Sequence, residues 1–228
     1  MNQTAGFLNM LQSMDAFFPV GAFTLSNGLE DYVVSGRMKD SVDLRQYLEG
    51  FMQVFPYNDL GIAAWAYSHF QSAPDILELD HVAAACKGAR EVRTGTMRMC
   101  IRYLKAREAM GDCQGQLERY GAAVAAGQAY GIHPVAIGIY GAEVGIEPHM
   151  LLVMYGYSIL SAIVNNAVKL VPLGQLDGQR ILFECMRELE GLADSAVQVD
   201  ISEIGASGAA YEIHCMNHER LYSRQYSL

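Results

Sequence analysis

The chain has 228 residues, with 25 Asp and Glu against 16 Lys and Arg, a formal net charge of −9 and an isoelectric point near 5.1. That balance works against nucleic-acid binding, whose affinity comes chiefly from Lys and Arg neutralising phosphates. Hydrophobic residues make up 51% and neither a long polar linker nor a run of alternating β-branched residues interrupts them, which predicts one all-α domain over residues 1–228, a bundle of roughly eight to ten helices packed through small residues.

In chain order, the first expected helix carries Phe7, Leu8, Leu11 and Met14 on one face, and Pro19 and Gly21 break it into a loop over residues 18–25. Ser26 or Asn27 can cap a short helix through Tyr32 and Val34 that ends near Gly36. Asp40 or Ser41 then caps the clearest helix, whose apolar positions Leu44, Tyr47, Leu48, Phe51, Met52 and Phe55 follow the helical spacing up to Pro56. A helix from Asn58 or Asp59 holds the single tryptophan, Trp65, and closes before Pro74. The stretch up to Met110 reads as helical with a break near Lys87 and Gly88, and Gly111 offers a C-cap.

Between Lys87 and Arg107 the basic residues Lys87, Arg90, Arg93, Arg98, Arg102, Lys105 and Arg107 face one acid, Glu91, and read as a solvated stripe or a landing strip for an acidic partner. A small-residue helix is expected over Leu117–Tyr130, and another segment opens at His133 and Pro134. His149 to Val171 is nearly long enough to span a bilayer, yet Asn165, Asn166 and Lys169 would be costly in lipid, so this is expected to be the buried central helix and no membrane is implied. Leu176–Leu192 reads as one amphipathic helix, followed by an Ala-, Gly- and Ser-rich remainder up to Met216.

Chemistry is sparse. The five cysteines, Cys86, Cys100, Cys113, Cys185 and Cys215, are odd in number, scattered and never paired as CxxC, and the N-terminus lacks the basic and apolar regions of a secretory signal, so a reducing cytoplasm is expected. His214, Cys215 and His218 lie within five residues, and the i, i+4 spacing sets the two imidazoles on one helical face. They are the metal candidates: a soft, incomplete set suited to a borderline metal such as zinc, nickel or copper held transiently, not to a tightly bound cofactor, and one that a second subunit or partner would have to complete. A hydrolase built on His214, His218 and Glu219 lacks the acid directly after the first histidine that zinc proteases use as general base. Nucleotide-binding and serine-hydrolase motifs are missing too, which predicts a protein that is not an enzyme.

Four segments in order carry a resemblance. DAFFPVGAFTLSNGLEDY holds Pro19, Gly21, Phe23, Ser26, Gly28, Leu29 and Glu30; REVRTGTMRM holds Arg90 and Glu91; VNNAVKLVPLGQLDGQRIL holds Pro172, Leu173, Gln175, Gly178 and Gln179; and MNHERLYSRQYSL holds His218, Glu219, Leu221, Arg224 and Ser227. Together they resemble the urease accessory protein UreF family along the whole chain, departing from its pattern at Leu25 and Asn27, where many members carry other residue types.

The resemblance implies an all-helical homodimer that binds the accessory protein UreH (UreD) and then the GTPase UreG, the assembly passing nickel to apo-urease and supporting carbamylation of its metal-bridging lysine. It further implies that the N-terminal segment, about residues 1–25 and centred on Phe17, Pro19 and Gly21, meets UreH together with the tail from residue 217, through Arg220, Tyr222, Arg224 and Tyr226. Ser26, Glu30 and Tyr32 would then face the GTPase. A rival reading makes the chain a regulator of that GTPase, with Arg90, Arg93 or Arg98 reaching the nucleotide site.

Overall fold

The structure is a computed structural model that describes residues 3–22 and 26–226; Phe23, Leu25 and Ser227 lie outside the described residues. Among these residues the chain forms α-helices and short 3-10 turns and no strand. In order they are α1 (Gln3–Met14), α2 (Leu29–Val34), α3 (Ser41–Val54), α4 (Asp59–His69), α5 (Ala73–Cys86), α6 (Arg90–Ala109), α7 (Gly115–Ala125), α8 (His133–Val144), α9 (Pro148–Leu170), α10 (Gln175–Met186), α11 (Leu189–Val197) and α12 (Ala209–His218). The all-α expectation holds, with more helices than the sequence pattern suggests.

At the centre α4 and α8 cross at close range. Both are nearly apolar all round, and both put small residues at the crossing: a Cβ on Gly138 would collide with the Ala63 carbonyl oxygen and come within 2.7 Å of the Ala66 Cβ. Backbones that approach this closely leave no room for a methyl group, so the crossing is fixed by glycine and alanine and not by large interlocking side chains. Helix α9 packs against α1, α2, α4, α8, α10 and α11, as its expected central place requires. It alone among the described helices is long and apolar enough to cross a membrane by length and composition, and half of its most apolar window is buried inside the fold.

Where local signals are strong the elements appear as expected. Asp40 caps α3 by accepting from the Val42 and Asp43 amides, and Leu44, Tyr47, Leu48, Phe51 and Met52 are its buried face. Three regions differ. The helix expected through Tyr130 stops at Ala125, because the buried carboxylate of Asp80 accepts from the Tyr130, Gly131 and Ile132 amides and from the Tyr120 hydroxyl, drawing the chain out of the helix. The single helix expected over Leu176–Leu192 divides at Arg187 and Glu188, a turn that places Leu189 against Gly156 of α9. In α1, the expected apolar face points outward: Phe7, Leu8 and Leu11 are exposed, and Gly6, Met10 and Ser13 face the core.

The basic stripe also divides. Arg98, Arg102 and Lys105 are exposed on one side of α6, as the spacing predicts, whereas Lys87 is buried and paired with Asp59 at 3.2 Å and Arg107 is only 1% exposed.

Candidate functional site

Three of the four resemblance segments, far apart in sequence, meet at one place. It begins at Asn27 and Gly28, both in the left-handed region with φ of 51° and 78°. A Cβ on Gly28 would sit 3.1 Å from the Cys215 amide nitrogen, so glycine serves both the backbone angle and the close approach of α12. Asn27, one of the departures from the family pattern, is a residue type that tolerates this angle, and its carbonyl accepts from the Tyr47 hydroxyl at 2.8 Å. The tight turn starts α2 so that its first residues, Leu29, Glu30 and Asp31, point inward.

Glu30, 5% exposed, is the hub. Its Oε2 lies 2.6 Å from His218 Nε2, its Oε1 accepts from the Gln225 amide at 2.6 Å, and its Oε2 also accepts from the Tyr226 amide at 3.2 Å. On the other side of the imidazole, Nδ1 of His218 lies 2.6 Å from Oε2 of Glu91, whose Oε1 pairs with Arg224. Glu219 closes the circuit, accepting from Arg90 Nε at 3.1 Å and from the Glu91 amide at 3.3 Å, so a carboxylate caps the positive N-terminal end of α6. One turn earlier in α12, His214 Nδ1 lies 2.5 Å from Asp31 Oδ2 and the ring lies against Tyr32, tilted by 31° with centroids 3.7 Å apart. Buried charges persist where each is paired and hydrogen-bonded, and here each buried carboxylate has such a partner.

His214 and His218 do share one face of α12, but that face is spent on Asp31, Glu30 and Glu91. Both ring nitrogens of His218 are occupied by carboxylates, and burial pushes the thiol of Cys215 up to about 12, far from the thiolate that binds metal. Among the described residues no group of three or more His, Cys, Asp or Glu side chains is placed to hold a metal ion. In this chain, then, helical spacing sets the imidazoles of His214 and His218 together beside Cys215, and buried acids from α2 and α6 engage both rings.

The expected partner-facing residues separate into two groups. Ser26, Glu30 and Tyr226 are buried and Tyr32 lies half-buried against His214, so they support a surface instead of forming one. Gly21 is likewise buried, whereas Pro19 and Arg220 are exposed, Phe17 is 96% exposed and Tyr222 is fully so. Arg224 is partly exposed and tied to Glu91. The fourth segment does not join the site: Gly178 seats α10 on Val168 and Val164 of α9, and Gln175 and Gln179 are exposed. Asp31 and Gln225 were not singled out by sequence reasoning. Asp31 had one signal, an acid beside Glu30 in the otherwise apolar LEDYVV, while Gln225 acts through its backbone and left none.

Among the described residues the site is a network of paired acids and histidines that joins the N-terminal signature, the start of α6 and the tail within an all-helical fold. The family model for UreF matches residues 38–186. The urease accessory protein UreF of Actinobacillus pleuropneumoniae serotype 5b (strain L20) is 31% identical over 220 residues, covering 95% of this chain and 96% of its own length. That of Haemophilus influenzae (strain PittGG) is 30% identical over 220 residues, covering 95% and 93%; that of Streptococcus thermophilus (strain ATCC BAA-491 / LMD-9) is 28% identical over 222 residues, covering 93% and 91%. The chain belongs to the UreF family of urease accessory proteins.

Proposed function

We propose that this chain is a scaffold for nickel insertion into urease, joining a UreH/UreD-type accessory protein and a UreG-type GTPase for delivery to apo-urease in the cytoplasm. The observation that carries this reading is the docking of the tail: Gln225 and Tyr226 are held by Glu30 of the N-terminal signature, which leaves Phe17 and Tyr222 standing free as aromatic anchors of the kind that dominate protein interfaces. The chain supplies surfaces, and the GTPase supplies nucleotide chemistry. Nickel belongs to the assembly as its cargo, since the imidazoles of His214 and His218 are engaged within this chain.

Self-association falls to α1. Two copies of a chain with net charge −9 repel one another, and the sequence of α1, QTAGFLNMLQSM, carries no charged residue at all. Its outward Phe7, Leu8 and Leu11 form the face on which two acidic copies can meet without opposing carboxylates.

Co-purification of the chain with its host's UreH and UreG homologues, followed by sizing, tests the scaffold. The intact chain is expected to form a complex, and a chain shortened by residues 221–228, which keeps His218 in place, is expected not to. Absence of any complex with the intact chain, with or without nickel and GTP, overturns the reading.

A further inference from the structure

Helix α1 lies the opposite way round from a helix oriented by burial alone. Its large apolar residues Phe7, Leu8 and Leu11 are 41, 55 and 50% exposed, whereas Gly6 and Ser13 are turned inward beside Met10. Rolling the helix about its axis would bury the outer three and gain the hydrophobic stabilisation they now forgo. Something specific opposes that roll.

The opposing group is Arg107 of α6. Its guanidinium is enclosed by three rings, with the Phe18, Tyr103 and Tyr140 centroids at 5.0, 5.4 and 4.1 Å. From that enclosure Nη2 donates to the Asn9 carbonyl at 3.0 Å and to the Ser13 hydroxyl, and Nη1 donates to Gln12 Oε1 at 3.4 Å and Asp112 Oδ2 at 3.3 Å. Three of these four acceptors belong to α1. Nε is buried with no acceptor, so the guanidinium has none to spare. A second contact acts in the same sense: a Cβ on Gly6 would collide with the Val144 carbonyl oxygen, so only this face of α1 can come so near the end of α8.

We propose that Arg107 is the positioning residue of the self-association surface, locking α1 in the rotation that presents Phe7, Leu8 and Leu11 to a second copy. A rolled α1 would carry the Ser13 hydroxyl and the Asn9 carbonyl away from a buried cation, leaving Asp112 as its one remaining acceptor among those named and Nη2 with none, and a buried charge short of acceptors costs more than a few apolar side chains return. Lysine cannot substitute, because a single ammonium lacks the planar fork that reaches several acceptors while lying against aromatic faces. This inference rests on the reading that the outer face of α1 carries self-association, and the two fail in different ways.

The experiment uses the full chain with Cys86 and Cys113 replaced by Ser and a Leu8→Cys reporter on the outer face. Thiol labelling is measured at high dilution, and the sedimentation of chains without the reporter is measured in parallel. With Arg107→Met, labelling of the reporter is expected to slow by about tenfold or more as α1 rolls inward, and self-association to weaken by about tenfold or more. Should Arg107→Met fail to fold, Arg107→Lys is expected to move both readouts in the same direction by a smaller factor. A merely structural arginine would let α1 fray and speed labelling. Labelling that is unchanged or faster, or association that persists, overturns the proposal. Leu8→Glu with Leu11→Glu tests the surface itself: if that pair leaves association intact, the surface reading fails, and if it abolishes association while Arg107 variants do not, only the positioning role fails.

Discussion

The two ends of the chain are each fastened by one buried charge, and they are fastened differently. Arg107, enclosed by three aromatic rings, holds α1 through two of its side chains and one of its carbonyls. Glu30 holds the tail through the backbone amides of Gln225 and Tyr226. The first attachment therefore depends on residue identity at two positions of the helix, Gln12 and Ser13, while the second asks only that the tail present two N–H groups in the right place. Identity at the tail matters instead at His218 and Arg224, whose side chains meet Glu30 and Glu91.

Glu30→Ala should break this comparison most severely. It leaves Nε2 of His218 and two tail amides without their acceptor, and truncating one member of a buried charged pair costs about 3–5 kcal/mol. Thermal unfolding should show that loss, and limited proteolysis should show cleavage within residues 219–226 while α1 stays protected. Second comes the core between the two ends. Burial lowers the His133 imidazole from its ordinary 6.5 to about 4. Between those values the unfolded chain binds a proton that the folded chain refuses, so stability should fall as pH drops through that window and level off below it. Urea midpoints across the window should slope downward with acid, and less so in His133→Gln. Gly6→Ala is next, at about 2 kcal/mol for a methyl forced against a backbone oxygen; hydrogen exchange should rise in α1 and leave the tail unchanged. Smallest is Gln225→Ala, expected to stay within about 0.5 kcal/mol because the contact is made by the backbone. Gln225→Pro, which removes the N–H, should release the tail to protease.

Much of the helical architecture was legible because its signals are local: a capped, periodic α3, a proline after it, glycines at the ends of helices. The orientation of α1 was not. Its outward stripe follows helical spacing as well as any core face does, and what reverses it is an arginine nearly a hundred residues away (a separation of 94 from Ser13). Asp80 is a similar case: one buried carboxylate 50 residues upstream ends the helix that composition extends to Tyr130. At the site, the resemblance singled out the signature, Glu91 and the tail, which the fold does bring together, but assigned Ser26 and Glu30 to an outer surface, whereas both are buried and Glu30 is held by the His218 imidazole and the tail amides. The histidines were paired correctly by spacing and given the wrong neighbours, because acids on α2 and α6 leave no trace in the sequence around them.

The contact between Glu30 and the Tyr226 amide spans 196 residues, close to the full length of the chain. During vectorial synthesis the acid emerges early and its acceptor role stays unfilled until nearly everything else has been made. The polar centre is thus completed late, and a chain that stops short of residue 225 leaves Glu30 without the two tail amides. A surface built on the docked tail therefore forms only after residue 226 has left the ribosome and folded back onto Glu30.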